Sequence, residues 1–474
     1  MSPFSRPLSG LAPAVLGTVA LLLAGCHTGD KPPTFFGFGA AEDATAVKAA
    51  HAVIDSGGNA ADAMIAMALT SAVTMPSRVG IGGGGLCLVY DPVKKQARTL
   101  DFLPESALPG QTPVPAFLRG LYTLQVAYGK RRWEMALGKA EALASIGVPV
   151  SRALATDLRA ESARLAADAQ ARKLFFGSGG QVLGEGETLV QNGLAATLRI
   201  ARERGIGALY SPQAYGSIAG DLAGKLGLSA KTLSDYQPEW RATASVEIGH
   251  NLVHFPDRRT GGAAGLVTAW KAAAPEGEDK EGWLGALLGA LGPGAGVAAP
   301  ATGMVVVDAN ERSVACVFTQ GGLFGRGQVA GETGILAAGG GGGTGIGGPA
   351  LVVNQYQNTV LFAGTGVANS VNEGGRSAES ALLSSLHASA IEKLPGPQVL
   401  ALPRAAPAPG GGVLAEAGVK PADLGALAGG ARPAAALGQV EALACIYNRY
   451  TGLKSCEVGT DPRGQGLHFT TLAK

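Results

Sequence analysis

The sequence predicts a mixed α/β (α+β) fold built around a large core. Residues 114–228 are dominated by helical patterning, whereas the chain after Thr302 consists mostly of short apolar β runs separated by Gly-rich turns. The 474 residues are 46% hydrophobic and 16% charged, so the chain has ample apolar surface to bury and is not a disordered protein. Because aromatic residues make up only 5%, the core volume has to come from Ala, Leu and Val.

The N-terminus is typical of an export signal rather than of a folded element. Arg6 precedes an apolar run over residues 11–24, which is too short to span a bilayer comfortably. The run ends in Leu-Ala-Gly-Cys, and small residues directly before a Cys are typical of a bacterial lipoprotein signal. We therefore expect residues 1–25 to be removed and Cys26 to carry a lipid; the alternative is an ordinary secretory signal followed by a chance Cys. Residues 26–43 are interpreted as a tether.

Export of the chain sets its expected location and partners. The sequence predicts a periplasm-facing lipoprotein of the bacterial cell envelope, held on the membrane through the lipid on Cys26. By similarity to bacterial sorting patterns, the non-acidic His27 favours the outer membrane over the inner. An envelope protein is the expected partner. The net charge of +2 and the lack of a long basic run indicate that nucleic acid is not a partner.

An oxidising compartment also affects the four remaining cysteines. Cys445 and Cys456 bracket two strand-like runs around a Thr-Gly turn, which favours a cross-strand disulfide. Cys87 and Cys316 each lie inside an apolar strand-like run and are interpreted as buried free thiols. The cysteine spacing matches no metal site, and no cofactor is expected.

His250 and His254 were the remaining metal candidates. A spacing of four residues would place both side chains on one face of a helix. The surrounding segment, residues 246–255, is strand-like instead. We therefore expect no metal site here.

The first folded segment shows two helices followed by a glycine run. Residues 44–56 have helical spacing, and Asn59 opens a second helix whose apolar residues surround nearly all faces, as in a buried helix. The run Gly80–Gly85 then precedes a strand over residues 86–90. A dinucleotide-binding loop follows a strand and opens a helix, which is the opposite order. The glycines therefore indicate close backbone packing.

These motifs resemble the γ-glutamyltransferase (γ-glutamyltranspeptidase, glutathione hydrolase) family. The N-terminal signature of that family is similar to Gly57-Gly58-Asn59-Ala60-Ala61-Asp62-Ala63, the glycine run and Leu86-Cys87-Leu88-Val89-Tyr90-Asp91. Further blocks resemble the family in the expected order: Val114-Pro115-Ala116, Glu187-Thr188-Leu189-Val190-Gln191-Asn192-Gly193, Leu233-Ser234-Asp235-Tyr236, Thr260-Gly261-Gly262, Val329-Ala330-Gly331-Glu332-Thr333-Gly334 and Asp461-Pro462-Arg463. The resemblance covers nearly the whole mature chain.

The resemblance implies a four-layer αββα sandwich of the N-terminal nucleophile hydrolase type. Family members are made as one precursor and normally cut into a larger and a smaller piece. On this pattern, residues 44–300 correspond to the large subunit, with a loose linker over residues 272–300, and residues 301–474 correspond to the small subunit. The two regions are expected to form one integrated domain.

The resemblance also places the catalytic positions, and the nucleophile is altered. In the ungapped register that leads back from Asp308, the family's nucleophilic Thr falls on Ala301, and its neighbour is Thr302. A shift of one residue would restore a hydroxyl at Thr302, but it would turn the side chain to the other face of the strand. Gly303 stands where the family usually has His. Thr319 matches the second Thr, which orients the nucleophile.

Most substrate-binding positions of the family are also changed. Gly321 replaces an Asn, and the acidic pair falls within residues 339–343, which contain only glycine. Leu103-Pro104 stand where an Arg binds the substrate carboxylate, although Glu105 remains nearby. Val367-Ala368 replace the Gly-Gly pair of the oxyanion hole. No substrate-binding residue is therefore assigned.

Three functions follow from this pattern. The first is a γ-glutamyltransferase-like envelope lipoprotein that has lost catalysis and acts in binding or complex assembly. The alternative is an active, autoprocessing enzyme that uses Thr302 as its N-terminal nucleophile, with Thr319 as the supporting hydroxyl. The third is an uncleaved protein that binds a small peptide in the former substrate cleft.

Overall fold

The computed structural model describes residues 35–106, 110–259, 263–274, 281–293, 299–340, 346–370, 373–374, 376–448 and 454–472. Eighteen strands lie in this part of the chain: β1 Phe35–Ala41, β2 Gly84–Asp91, β3 Gln96–Phe102, β4 Val148–Pro149, β5 Thr188–Leu189, β6 Glu239–Arg241, β7 Thr243–Ile248, β8 Asn251–Pro256, β9 Thr302–Asp308, β10 Ser313–Thr319, β11 Ile346–Asn354, β12 Thr359–Val367, β13 Ala405–Pro407, β14 Val413–Ala415, β15 Ala431–Pro433, β16 Gln439–Tyr447, β17 Lys454–Gly459 and β18 Leu467–Leu472.

Sixteen α-helices accompany them within the same described ranges: α1 Ala44–Asp55, α2 Ala60–Thr74, α3 Phe117–Tyr128, α4 Trp133–Ile146, α5 Arg152–Ala160, α6 Ser162–Ala166, α7 Ala169–Phe175, α8 Asn192–Arg204, α9 Gly207–Tyr210, α10 Ala219–Lys225, α11 Ala230–Asp235, α12 Ala263–Ala273, α13 Trp283–Leu291, α14 Ser377–Ala390, α15 Gly396–Ala401 and α16 Pro421–Leu424. Of the helices described, none is long and apolar enough to cross a membrane.

Two stacked β-sheets form the centre of the molecule. The first sheet has the strand order β18-β1-β9-β10-β2-β3-β6, and the second has the order β17-β16-β12-β11-β8-β7. One apolar cluster fills the space between the sheets, a second joins the first sheet to α1–α5 and α8, and a third joins the second sheet to α12–α15. This arrangement of helix, sheet, sheet and helix confirms the predicted fold.

Helix α2 shows how the sequence builds the layer on the first sheet. Its N-cap Asn59 accepts a hydrogen bond from the backbone N–H of Asp62, and Asp62 accepts one from the N–H of Asn59, which forms a capping box. Every residue of the helix is buried, as the apolar pattern predicted. The following glycine run allows the predicted close packing, because a Cβ atom at Gly84 would lie 2.0 Å from the carbonyl oxygen of Phe102.

Two interpretations of the chain as loose segments are corrected. Residues 35–41 of the presumed tether form β1, which pairs with β18 and β9 inside the first sheet. Asp43 of the same segment is the N-cap of α1. In the presumed linker, residues 283–291 form α13, whose Leu residues are buried in the cluster on the second sheet. In both cases long-range burial orders a segment whose Gly- and Ala-rich composition is locally weak.

The cysteine predictions are half right. Cys445 and Cys456 face each other on β16 and β17 and form the predicted disulfide. Cys87 and Cys316 are not free thiols: they are paired across β2 and β10 and form a second disulfide over a separation of 229 residues. Their apolar context predicted burial correctly, but no local signal showed that the two strands are neighbours. Cys26 and residues 1–34 lie outside the described residues.

Candidate functional site

Strand β9 determines the direction in which the two candidate nucleophile positions face. Met304 packs in the cluster under the helices, whereas Val305 packs in the cluster between the sheets. Because side chains alternate along a strand, Thr302 points toward the helical layer and Ala301 points between the sheets. Thr302 is 3% exposed. The two neighbouring residues therefore have opposite surroundings.

Thr319 lies directly beside Ala301. Phe318 pairs with Thr302 in the antiparallel β9–β10 ladder, so one further step of the register places Thr319 opposite Ala301 and on the same face. The hydroxyl oxygen of Thr319 accepts a hydrogen bond from the backbone N–H of Gly321 at 3.0 Å. Thr319 therefore shares a face with Ala301, whereas Thr302, the alternative nucleophile, lies on the opposite face of the sheet; the Thr319 hydroxyl also stabilises a turn.

An apolar cluster surrounds Ala301, which is fully buried. It consists of Leu86, Leu103, Ala301, Val317, Ile346 and Val367. The resemblance to the family aligns Leu103 with its substrate-binding Arg and Val367 with the first position of its oxyanion pair. The changed positions therefore contact one another and fill the space with hydrocarbon. We call these six residues the Ala301 cluster.

The backbone around the same point is also close-packed. The N–H of Ala301 donates to the carbonyl oxygen of Ala368 at 3.3 Å. A Cβ atom at Gly303 would lie 2.1 Å from the hydroxyl oxygen of Thr365, which is fully buried and lacks a hydrogen-bond partner. A His at residue 303 does not fit unless Thr365 moves.

Glycine is required at the position where the family has Asn. Gly321 has φ +72°, and a Cβ atom there would lie 2.4 Å from the carbonyl oxygen of Gly339. Any other residue would be strained and would collide with the neighbouring backbone. Gly339 and Gly340 are described, but residues 341–343 of the expected acidic pair lie outside the described residues.

Glu105 forms an ion pair with Arg259. Its Oε2 lies 3.3 Å from Nε of Arg259, and burial raises the pKa of this carboxyl. Arg259 also lies 3.6 Å from Glu239 and stands over the ring of Tyr236. These residues, except Glu239, line a cavity of about 320 Å³. The carboxylate of Glu105, two residues after Leu103, is thus paired with a cation of the protein itself.

Three buried polar side chains that the sequence analysis did not single out lie near Thr365, in the layer between the sheets. The amide nitrogen of Gln439 donates to Glu42 and, at 3.0 Å, to Oε1 of Glu441. Glu441 is directly opposite Thr365 in the β12–β16 ladder, and its Oε2 has no hydrogen-bond partner. Burial raises the pKa of Glu42, and it raises the pKa of Glu441 well above 4.5. The sequence does contain a signal for this buried group: the polar residues Gln439 and Glu441 stand at alternate positions of an otherwise apolar strand.

The Asp461-Pro462-Arg463 motif serves as a clamp beside these carboxyls. Asp461 accepts hydrogen bonds from the backbone N–H of Val440 and Arg463 and lies 2.6 Å from Nη1 of Arg404. Arg463 also pairs with Glu416. Arg404 is 2% exposed, and within this group the two carboxylates of Asp461 and Glu416 balance the two guanidinium groups of Arg404 and Arg463. We call Glu42, Gln439, Glu441, Asp461 and Arg404 the carboxyl cluster.

The loop that follows the oxyanion position is held by a second buried ion pair. Nε of Arg78 lies 3.1 Å from Asp157, and Nη1 of Arg78 donates to the side-chain oxygen of Asn369 at 2.9 Å. Glu373 accepts hydrogen bonds from the N–H groups of Asn369 and Gly438. These contacts fix Ala368 and its neighbours in place.

The two histidines do not converge. His254 bonds to Thr243 through Nδ1 at 2.9 Å, while His250 lies edge-to-face on Tyr356. They are separated along an extended segment, and burial lowers the pKa of His254 to about 4. Within the described ranges, no group of three or more His, Cys, Asp or Glu side chains could hold a metal ion.

Comparison with known proteins agrees with the sequence motifs and with the overall fold. A family model described as gamma-glutamyltranspeptidase matches residues 46–111 and 104–273. The chain belongs to the γ-glutamyltranspeptidase family. The glutathione hydrolase proenzyme of Bacillus subtilis (strain 168) is 32% identical over 210 residues, which cover 39% of this chain and 32% of that protein. The proenzyme of Escherichia coli (strain K12) is 28% identical over 249 residues, 48% of this chain and 43% of that protein.

This γ-glutamyltranspeptidase-family chain thus spans less than half the length of those curated relatives. In solved structures the similarity extends over the whole fold. Cephalosporin acylase from Bacillus halodurans has a TM-score of 0.74 at 19% identity and covers 99% of this chain and 98% of its own. A structure titled LmbA2991HD has a TM-score of 0.73 at 16% identity, with 93% and 99% covered. The family-model match ends before Ala301, so the candidate site lies in the more divergent half.

Proposed function

We propose that this family member does not catalyse γ-glutamyl transfer and acts instead in binding or in the assembly of a complex at the bacterial cell envelope. The observation that supports this most directly is the direction and surroundings of Ala301. Its methyl group occupies the inter-sheet face at the aligned nucleophile position, inside an apolar cluster. Thr302, the adjacent hydroxyl, points to the helical layer.

The chemistry of the reaction explains why these changes matter together. An N-terminal nucleophile enzyme needs a hydroxyl whose own freed amine acts as base, and it needs backbone donors for the oxyanion. Recognition of a γ-glutamyl group in water further requires charged partners. Alanine has no nucleophilic atom, and Leu103 and Val367 supply hydrocarbon instead of a cation or an open backbone. Restoring one group alone would leave the others missing.

Attachment to the membrane is the second part of the proposal. Small residues before Cys26, together with the preceding apolar run, support cleavage after residue 25 and lipidation of Cys26. Strand β1 begins at Phe35, so eight residues, 27–34, separate Cys26 from β1 in the sequence. The folded domain would therefore sit close to the membrane surface, with the outer membrane favoured, where an envelope protein partner can reach it.

The decisive test is the intact mass of the mature protein, extracted in detergent and denatured. We expect one species that starts at Cys26, and the same pattern for a Thr302→Val variant. An active enzyme that uses Thr302 predicts two species from the natural protein, with a new N-terminus at Thr302, and one species from the variant. That result would overturn the proposal and would direct attention to γ-glutamyl substrates. A cut before Ala301 would contradict the uncleaved state, although the nucleophile would still be missing.

A further inference from the structure

A cavity of about 410 Å³ lies on the outer side of the second sheet, well away from the Ala301 cluster. It is bounded by the start of α13, the C-terminal half of α14, α15 and the segment that leads into α16. None of its lining residues belongs to the Ala301 cluster or to the apolar cluster between the sheets. Its size lies within the range of small-molecule sites in proteins, about 300–1,000 Å³.

The charge of the lining favours a cation. Three carboxylates line the cavity: Glu281, Glu392 and Asp423. Among the described residues, none of the three has a Lys or Arg within ion-pair distance; Glu392 has the imidazole of His387 as a neighbour, with Nδ1 3.1 Å from Oε1. Arg404 also lines the cavity, but its guanidinium is neutralised by Asp461. Lys420 is thus the one cation of the lining that could oppose three acids, and a net negative field remains.

The cavity also offers an aromatic surface and hydroxyl groups. The ring of Trp283 stacks on the imidazole of His387 with centroids 3.9 Å apart and an interplanar angle of 4°, which fixes the orientation of the indole. Trp is the side chain that attracts cations most strongly through its ring face. Ser385 lines the cavity, is 1% exposed, and its hydroxyl has no hydrogen-bond partner; Ser384 beside it also lacks one. A hydroxyl oxygen without a partner can accept an N–H bond from a ligand.

We propose that this cavity binds a small aliphatic amine in its protonated form, such as a linear diamine. Its ammonium groups contact the carboxylates and the unpartnered serine hydroxyls, and its methylene chain packs on Trp283 and the apolar side chains Val399 and Leu402. The carboxylates disfavour an anion, and a neutral ligand would leave their charge unbalanced. The proposal does not rest on the function proposed above, because it uses no residue of the Ala301 cluster.

Titration calorimetry of the full mature protein tests the proposal, with 1,4-diaminobutane as the probe and 1,4-butanediol as its uncharged match. We expect saturable binding and a rise in Tm for the diamine, weakening as salt is added, and neither effect for the diol. The variant Glu281→Gln/Asp423→Asn should weaken diamine binding at least about tenfold. Glu247→Gln removes an exposed carboxylate on β7 that has no ion pair within the described chain, and it should leave the affinity unchanged.

Several results would overturn the proposal. They are the absence of saturable diamine binding, equal binding of the diol, or full affinity in the double variant. Glu281 is exposed, so Glu281→Gln alone cannot unfold the chain and provides a second reading if the double variant is unstable. A cut chain in the mass experiment would reject the proposed function without affecting this result.

Discussion

The Ala301 cluster and three members of the carboxyl cluster, Glu42, Gln439 and Glu441, lie in the same layer between the sheets, yet the chemistry of the two clusters is opposite. The first contains only aliphatic side chains, and among them are the residues that the resemblance to the family aligns with a nucleophile, a substrate-binding Arg and an oxyanion position. The second keeps three acids, an amide and a guanidinium almost free of solvent. Gly303 lies between the two clusters. It packs on the side chain of Thr365, and the β1–β9 register places it opposite Glu42.

The contrast indicates which polar groups the fold itself needs. Asp461 and Arg404 satisfy each other and several backbone groups, so removing one would leave a buried charge. A nucleophile and a substrate-binding Arg would satisfy only a substrate. The aliphatic side chains at the aligned positions extend the buried apolar core. Polar groups that stabilise the fold, such as Asp461 and Arg404, are thus present, whereas polar groups that would contact only a substrate are absent from the Ala301 cluster.

The largest effect is expected from Arg404→Ala. The change removes one of the two guanidinium groups that contact buried Asp461, the other being that of Arg463, and it should lower the free energy of unfolding by about 3 kcal/mol. Urea denaturation measures the loss, and Arg432→Ala, an exposed residue of β15, is the matched control with a change below about 0.5 kcal/mol. Similar stability for both variants would show that the carboxyl cluster is dispensable to the fold.

Ala301→Ser tests the other half of the comparison. A hydroxyl at residue 301 would lie among Leu86, Val317 and Ile346 with only the Thr319 hydroxyl as a polar neighbour, so the variant should lose about 1–2 kcal/mol of unfolding free energy. Thr302→Ser, on the opposite face of the strand, keeps its hydroxyl and controls for the strand itself. If Ala301→Ser were as stable as the natural chain, the space at Ala301 would be polar or hydrated, contrary to the packing.

Glu441→Gln should have a smaller effect, and one of opposite sign. Because burial raises the folded-state pKa of Glu441 above 4.5, the folded state binds more protons than the unfolded state at pH values between the two pKa values. The contribution of the group is therefore fully present below pH 4.5 and is lost as pH rises through the folded pKa. The amide cannot ionise, so the variant should be the more stable protein at pH 7.5, by about 1 kcal/mol.

Urea unfolding at intervals between pH 4.5 and 8.5 checks this expectation. The natural chain should lose more stability than the Glu441→Gln variant across that interval, while the exposed Glu247→Gln should follow the natural chain. Parallel curves for all three proteins would show that Glu441 has no raised pKa or that another group takes up the charge.

Local patterns predicted a substantial part of this structure. The cap at Asn59 and the apolar faces of α2 gave a buried helix, and the Cys445–Cys456 disulfide followed from two strands joined by a short turn. The alternation of side chains along a strand also gave opposite faces to Ala301 and Thr302. Each inference depends on residues within about ten positions of one another, a range over which backbone geometry is nearly fixed.

The features that the sequence pattern did not predict depend on pairing between residues that are far apart in the chain. Whether residues 35–41 form a tether or a strand depends on β9 and β18, hundreds of residues away, which supply their hydrogen-bond partners. The same dependence joins Cys87 to Cys316 and gathers Glu42 with Gln439 and Glu441. Hydrophobic periodicity shows that a segment is buried, but the partner it is buried against is selected by the free energy of the whole core.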